Sequence, residues 1–171
     1  MRELIKRIDR DGERWLLLIF YTMIVATISI EVLRRFVLEY SSIWGEEVAR
    51  YAFIYLVWIG TAAAVRERAH IRIDVLFHYL PNRGKAVLYL FGDFVMLAVA
   101  LVALYYAVEP VLTSIKFGAV THGLRVSSAW FLAAVPFGFT LVSIRLVESI
   151  WRDFSDLRAG RPVFEGYRLF D

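Results

Sequence analysis

Few residues of this 171-residue chain could carry chemistry. Its three histidines are His70, His78 and His122, and it has no cysteine. His70 and His78 could bind a metal together with Asp74, but a solvated loop histidine is the simpler reading of each. A bis-histidine haem needs histidines inside helices, and all three lie in connecting segments. Without cysteine there is no disulfide, thiolate nucleophile, cysteine-ligated metal or acyl anchor. No His-Glu-x-x-His, Gly-x-Ser-x-Gly or phosphate-loop pattern occurs. Neither an enzyme, a cofactor nor a metal site is expected. The informative residues are charges placed within or beside apolar runs: Glu46, Glu47, Arg50, Asp93 and Arg145. Arg50 follows Glu46 by four residues and Glu47 by three, so an ion pair on one helix face is open to them.

The elements that must position these charges follow from composition. The chain is 59% hydrophobic, with a mean hydropathy of +0.56. A soluble domain of this size needs more polar surface than that. Disordered and collagen-like chains are excluded on the same ground. The apolar residues fall in four runs, Trp15 to Ile30, Val48 to Val65, Ala86 to Val108 and Val126 to Ile144. The second is interrupted only by Arg50 and the third only by Asp93. About 20 apolar residues cross a hydrocarbon core of about 30 Å. The fold class expected is therefore an all-α integral membrane protein, a single membrane domain over 1–171. Its spans are expected near 14–34, 47–66, 86–109 and 127–150. The first run continues through Val32 and Leu33 with no small-x-small site after it, so it reads as a span and not a cleaved signal.

Charge sets the expected direction. Of 20 Lys and Arg, fifteen lie in the N-terminal segment, the second loop and the C-terminal tail. With four spans these three segments share one side, and the positive-inside rule makes that side cytoplasmic. The basic balance then needs no nucleic acid to explain it. Trp15, Trp44, Trp130 and Trp151 mark the ends of spans, where an indole can be both buried and wet.

Two connecting segments are patterned. Ile73, Leu76, Phe77 and Leu80 form one apolar stripe, with Asp74 in the first turn and Pro81 after the end. This predicts a short interfacial helix near 72–80, against lipid headgroups or a partner. A weaker version, with Leu4, Ile5 and Ile8, precedes the first span. Glu46 and Glu47 occupy the first turn of the second span, where the helix dipole favours acids.

Counting rise per residue puts Asp93 and Arg145 at similar depth, roughly 10 Å from the cytoplasmic boundary. They are expected to approach each other or to meet polar groups of a partner, which relieves their desolvation. Glu31 reads as a packing or interfacial acid. Gly60 and Ala64 form a small-xxx-small pair that invites close helix approach. Pro136 and Gly138 allow a kink in the fourth span. A bundle this small has little room for a cavity, and no inverted repeat is visible. The residues alone indicate an accessory or scaffold subunit.

Trp44-Gly45-Glu46-Glu47-Val48-Ala49-Arg50-Tyr51, then Trp58, Gly60, Ala62 to Ala64, Arg66 and His70-Ile71-Arg72-Ile73-Asp74 form an ordered series. Thr121-His122-Gly123-Leu124-Arg125, Trp130, Ala134 to Gly138 and Arg145 continue it. This series resembles the small membrane subunit (DctQ-type) of the tripartite ATP-independent periplasmic, or TRAP, transporters. The resemblance implies four helices with both termini cytoplasmic, in a bacterial inner membrane. It implies as partners a large membrane subunit carrying substrate and sodium sites, and a periplasmic solute-binding protein delivering a small organic acid. It also implies that the small subunit is a fixed scaffold. On this reading Trp44, Glu46, Glu47, Arg50 and Arg125 face the periplasmic side. Arg66, His70 and Asp74 belong to the cytoplasmic loop. Each serves either partner contact or anchoring within the chain. The alternatives are a stand-alone oligomeric transporter or channel, and a membrane redox or lipid enzyme.

Overall fold

The structure is a computed structural model that describes residues 2–40, 42–68 and 81–162; of residues 2–11 and 82–83 only the helical backbone is described. Among the described residues it contains four helices, α1 (Arg2–Val37), α2 (Ile43–Arg66), α3 (Asn82–Lys116) and α4 (Ala129–Ala159). Each is long and apolar enough to cross a membrane, over Gly12–Val37, Ile43–Arg66, Gly84–Lys116 and Ala129–Ala159. The expected all-α, four-span class is the class observed. Among the described residues the only bridged backbone outside helices is the Val120–Ser127 pair.

The helices outrun the apolar runs. The backbone of the charged N-terminal segment is continuous with α1, and α3 continues past Glu109 and Pro110 to Lys116. Hydropathy marks where hydrocarbon ends, whereas a helix ends only where backbone hydrogen bonding is diverted. At α4 the diversion is Gly160, whose left-handed φ of 67° lets Arg161 N–H reach back to the Asp156 carbonyl at 2.9 Å. Pro81, extended at φ −66° and ψ 158°, sets the start of α3. The expected interfacial helix at 72–80 lies outside the described residues.

In space the helices form a row, α1–α2–α4–α3. Two antiparallel hairpins, α1–α2 and α3–α4, are joined through their second helices. Tyr51 meets Phe131, Tyr55 meets Phe137 and Trp58 meets Phe139, so α2 and α4 run parallel. From Glu13 on, the half-buried positions of α1 are Glu13, Leu17, Phe20, Ile24, Thr27, Glu31 and Arg34. Their alternating steps of four and three are those of a coiled-coil seam, here laid on α2. Both ends of that seam are charged.

The interior is rich in small residues, with Ile59 and Leu146 the largest apolar side chains fully buried in it. Ala49, Ala52, Ala62, Ala134 and Gly138 are buried, while the larger side chains of α1 and α3 face outward. This inversion of the soluble pattern suits a lipid environment, where close backbone approach and not hydrophobic expulsion holds helices together. The tightest approach is between Trp58 of α2 and Gly138 of α4. A Cβ on Gly138 would lie 2.3 Å from the indole. One apolar cluster, Ala62, Val65, Ala100, Val142 and Leu146, joins α2, α3 and α4.

Candidate functional site

The charged side chains that pair between elements gather at the two ends of the bundle. At the end where α1 starts and α4 finishes, two clasps form. In the first, Arg145 of α4 binds Glu13 of α1 at 2.6 Å and Glu148 at 2.7 Å, while Arg66 of α2 lies 3.6 Å from Glu13. In the second, Arg68, just beyond α2, donates to Ser149 Oγ at 3.1 Å and to the Asp153 carboxylate on α4. It lies 3.7 Å from Asp93 of α3, and its guanidinium stacks 4.4 Å from the Tyr89 ring. Ser149 Oγ in turn donates to Asp93 at 2.7 Å. Arg152 stands 3.8 Å from Asp153. Asp153 is fully buried. A buried carboxylate is tolerated only when paired and hydrogen-bonded, and these bonds supply the pairing.

The opposite end has two further polar anchors. Glu31 accepts from the Ser42 backbone N–H at 3.4 Å and from the Ser42 hydroxyl, and pairs with Arg34 at 3.3 Å. Its carboxylate sits against Gly45, where a Cβ would collide with it. Arg34 lies over the Tyr40 and Trp44 rings at 4.9 and 5.5 Å. Glu47 reaches from α2 to the α3–α4 connection and accepts the backbone N–H groups of Gly123 at 3.1 Å and Leu124 at 2.6 Å. That connection is a short hairpin, held by Thr121 N–H to Val126 O and Ser128 N–H to Ala119 O, both at 2.9 Å. Arg125 turns its tip with a left-handed φ of 51°. Gly123 is needed there, because a Cβ would lie 2.8 Å from Glu47 Oε2 and 3.1 Å from the Ile43 backbone.

Several of the residues singled out from sequence are therefore placed. Glu47 anchors the hairpin, Arg66 shares Glu13 with Arg145, and Trp44 lies beneath Arg34. Glu46, Arg50 and Arg125 are exposed, and the in-helix ion pair open to Arg50 is not formed. Gly60 faces Leu17 of α1 with room for a Cβ at 3.7 Å, and Ala64 is half-buried, so the small-xxx-small pair is not the tight contact. His70 and Asp74 lie outside the described residues. Asp93 and Arg145 each find charged or hydroxyl partners, but different ones: Ser149 and Arg68 for Asp93, Glu13 and Glu148 for Arg145. Equal depth did not bring them together, since depth leaves open which face of a helix a residue occupies. By sequence Arg68 reads as one more loop charge and Asp153 as part of a polar tail, yet the two meet in the second clasp. The signal was present in α4. From Ala134 on, its buried positions, Ala134, Gly138, Val142, Leu146, Ser149 and Asp153, keep to one face by steps of three and four.

No group of three or more His, Cys, Asp or Glu able to hold a metal occurs among the described residues. An apolar groove lines α3 at Ala98, Val99, Val102 and Ala103. What the arrangement does chemically is fasten helices to each other.

Comparison with known proteins shows the family. The family "Tripartite ATP-independent periplasmic transporters, DctQ component" matches residues 24–156. The sialic acid TRAP transporter small permease protein SiaQ of Vibrio cholerae is 23% identical over 87% of this chain and 85% of its own length. The ectoine TRAP transporter small permease protein TeaB of Halomonas elongata is 26% identical over 80% and 72%. The isethionate TRAP transporter permease protein DctMQ of Oleidesulfovibrio alaskensis is 23% identical over 84% of this chain, which spans only 24% of that longer protein. The match over most of the chain and the four apolar helices together place this protein in the DctQ component family of the TRAP transporters, as a multi-pass small permease subunit.

Proposed function

We propose that the chain is the fixed scaffold of a TRAP-type secondary transporter. It partners a large membrane subunit that moves the solute, and a periplasmic binding protein that delivers it. The observation carrying this reading is the use made of acids within the helices. Glu13, Glu31, Glu47, Asp93 and Asp153 are each engaged within the chain by arginine, hydroxyl or backbone N–H. A solute or sodium path needs polar groups whose partners change, whereas clasped charges hold helices still. The longer DctMQ protein supports the pairing. A sequence like this one forms about a quarter of it, so the remainder lies on the same chain as a unit of this kind.

Both termini and the clasp end face the cytoplasm, as the basic residues require. The hairpin held by Glu47 then faces the periplasm, in a bacterial inner membrane. The solute is a small organic acid, driven by a sodium gradient. Isethionate, sialic acid and ectoine, in the relatives' names, are all small molecules bearing an acidic group. Copurification tests the reading. The tagged chain, expressed with the large subunit of its own transporter, should bring that subunit down in equal amount. Recovery of a homo-oligomer alone favours the stand-alone channel.

A further inference from the structure

Arg68 belongs to the end of α2 by sequence but to α3 and α4 by contact. Its backbone is left-handed, with φ 53°, an uncommon conformation for a residue other than glycine. Its side chain is 4% exposed. From there it meets Ser149 and Asp153 on α4, and Asp93 and the Tyr89 ring on α3. A planar guanidinium with several fixed donors can serve two helices at once, which a point charge cannot do as well. Ser149 couples the two sides, accepting from Arg68 and donating to Asp93.

Helix α3 needs such a tie. It stands at the edge of the row and packs chiefly along α4, with large side chains such as Phe91, Phe94, Val99 and Tyr105 facing outward. We infer that Arg68 is a positioning residue that fixes the tilt of α3 against the other three helices. Arg161, by contrast, is exposed and pairs with Asp156 of α4 at 3.0 Å, so it offers a control charge at the same end of the bundle. The effect is levered. Leu112 lies about 28 Å along the helix from Asp93 at about 1.5 Å per residue, so a tilt of about 5° moves it by about 2.5 Å.

The chain has no cysteine, so spin labels can be placed at will. The full chain carrying Val32→Cys and Leu112→Cys, both exposed, is labelled in lipid nanodiscs and the inter-label distance is read by double electron–electron resonance. The expected result is one narrow distance in the parent and in Arg161→Gln. Arg68→Gln should broaden that distance or shift it by 2 Å or more. An unchanged narrow distance in Arg68→Gln overturns the inference, as does equal broadening in Arg161→Gln. Should Arg68→Gln fail to fold, Arg68→Met with Asp153→Leu removes the buried charges as a pair. Broadening there supports the assignment, and the parent's narrow distance overturns it.

Discussion

Replacing Gly138 by alanine sets two effects against each other, and the geometry decides between them. The added Cβ would lie 2.3 Å from the Trp58 ring. Carbon atoms rest at about 3.5–4.0 Å, so α2 and α4 must part by about 1 Å or the indole must turn. Trp58 is backed by Phe139, with ring centroids 4.6 Å apart, which restricts that turn. Overpacking of this kind costs about 1–3 kcal/mol. Alanine in place of a mid-helix glycine returns at most about 1 kcal/mol. With the full return, the expected net loss is up to about 2 kcal/mol. The control is Trp58→Ala, which empties the space the methyl would enter. In that background Gly138→Ala should be neutral or stabilising, giving a coupling of about 1–3 kcal/mol. Unfolding by SDS in mixed micelles, followed by far-UV circular dichroism, measures all four corners of the cycle. An equal loss in both backgrounds would refute the claim that this contact sets the α2–α4 distance.

Glu47→Ala should leave the Gly123 and Leu124 amides without their acceptor, at about 1–3 kcal/mol for a charged hydrogen-bonding group. Hydrogen exchange at those two amides should then accelerate well beyond exchange elsewhere, and uniform acceleration would contradict the local role. Glu13→Gln and Arg145→Gln should be strongly non-additive in stability, because each removes the other's partner. By contrast, Asp93→Asn and Arg145→Gln should couple far more weakly; the reverse ranking would sink the clasp assignment. Asp153→Ala takes from Arg68 its buried carboxylate and leaves it Ser149 and Asp93; it should cost up to about 3–5 kcal/mol, whereas Arg68→Met with Asp153→Leu should recover most of that loss. If the double variant melts no higher than the single one, the pairing of these two residues is wrong.

What the sequence disclosed depended on whether a property runs along the helix or around it. Span number follows from uninterrupted apolar length, so Trp15 to Ile30 and its three counterparts marked the four helices. Depth also reads directly from residue count, which put Asp93 and Arg145 at one level. Neighbours do not read that way. The row α1–α2–α4–α3 gives Arg145 to Glu13 of α1 and Asp93 to the Arg68 cluster. Glu47 was picked out because an acid in the first turn suits the helix dipole. Its bonds, however, go to a hairpin 76 and 77 residues away. Nothing local foretells a contact of that range. Asp153 was hidden for another reason: beyond Trp151 the chain looks like a polar tail, although the buried face of α4 continues through it.

The scaffold role is tested most directly by reconstitution. The purified chain, the large permease subunit and the binding protein are placed in liposomes together and in every partial set, with a sodium gradient and candidate organic acids. Uptake should require the large subunit, with the small subunit alone inert at every acid tested. Uptake by this chain alone would contradict the account.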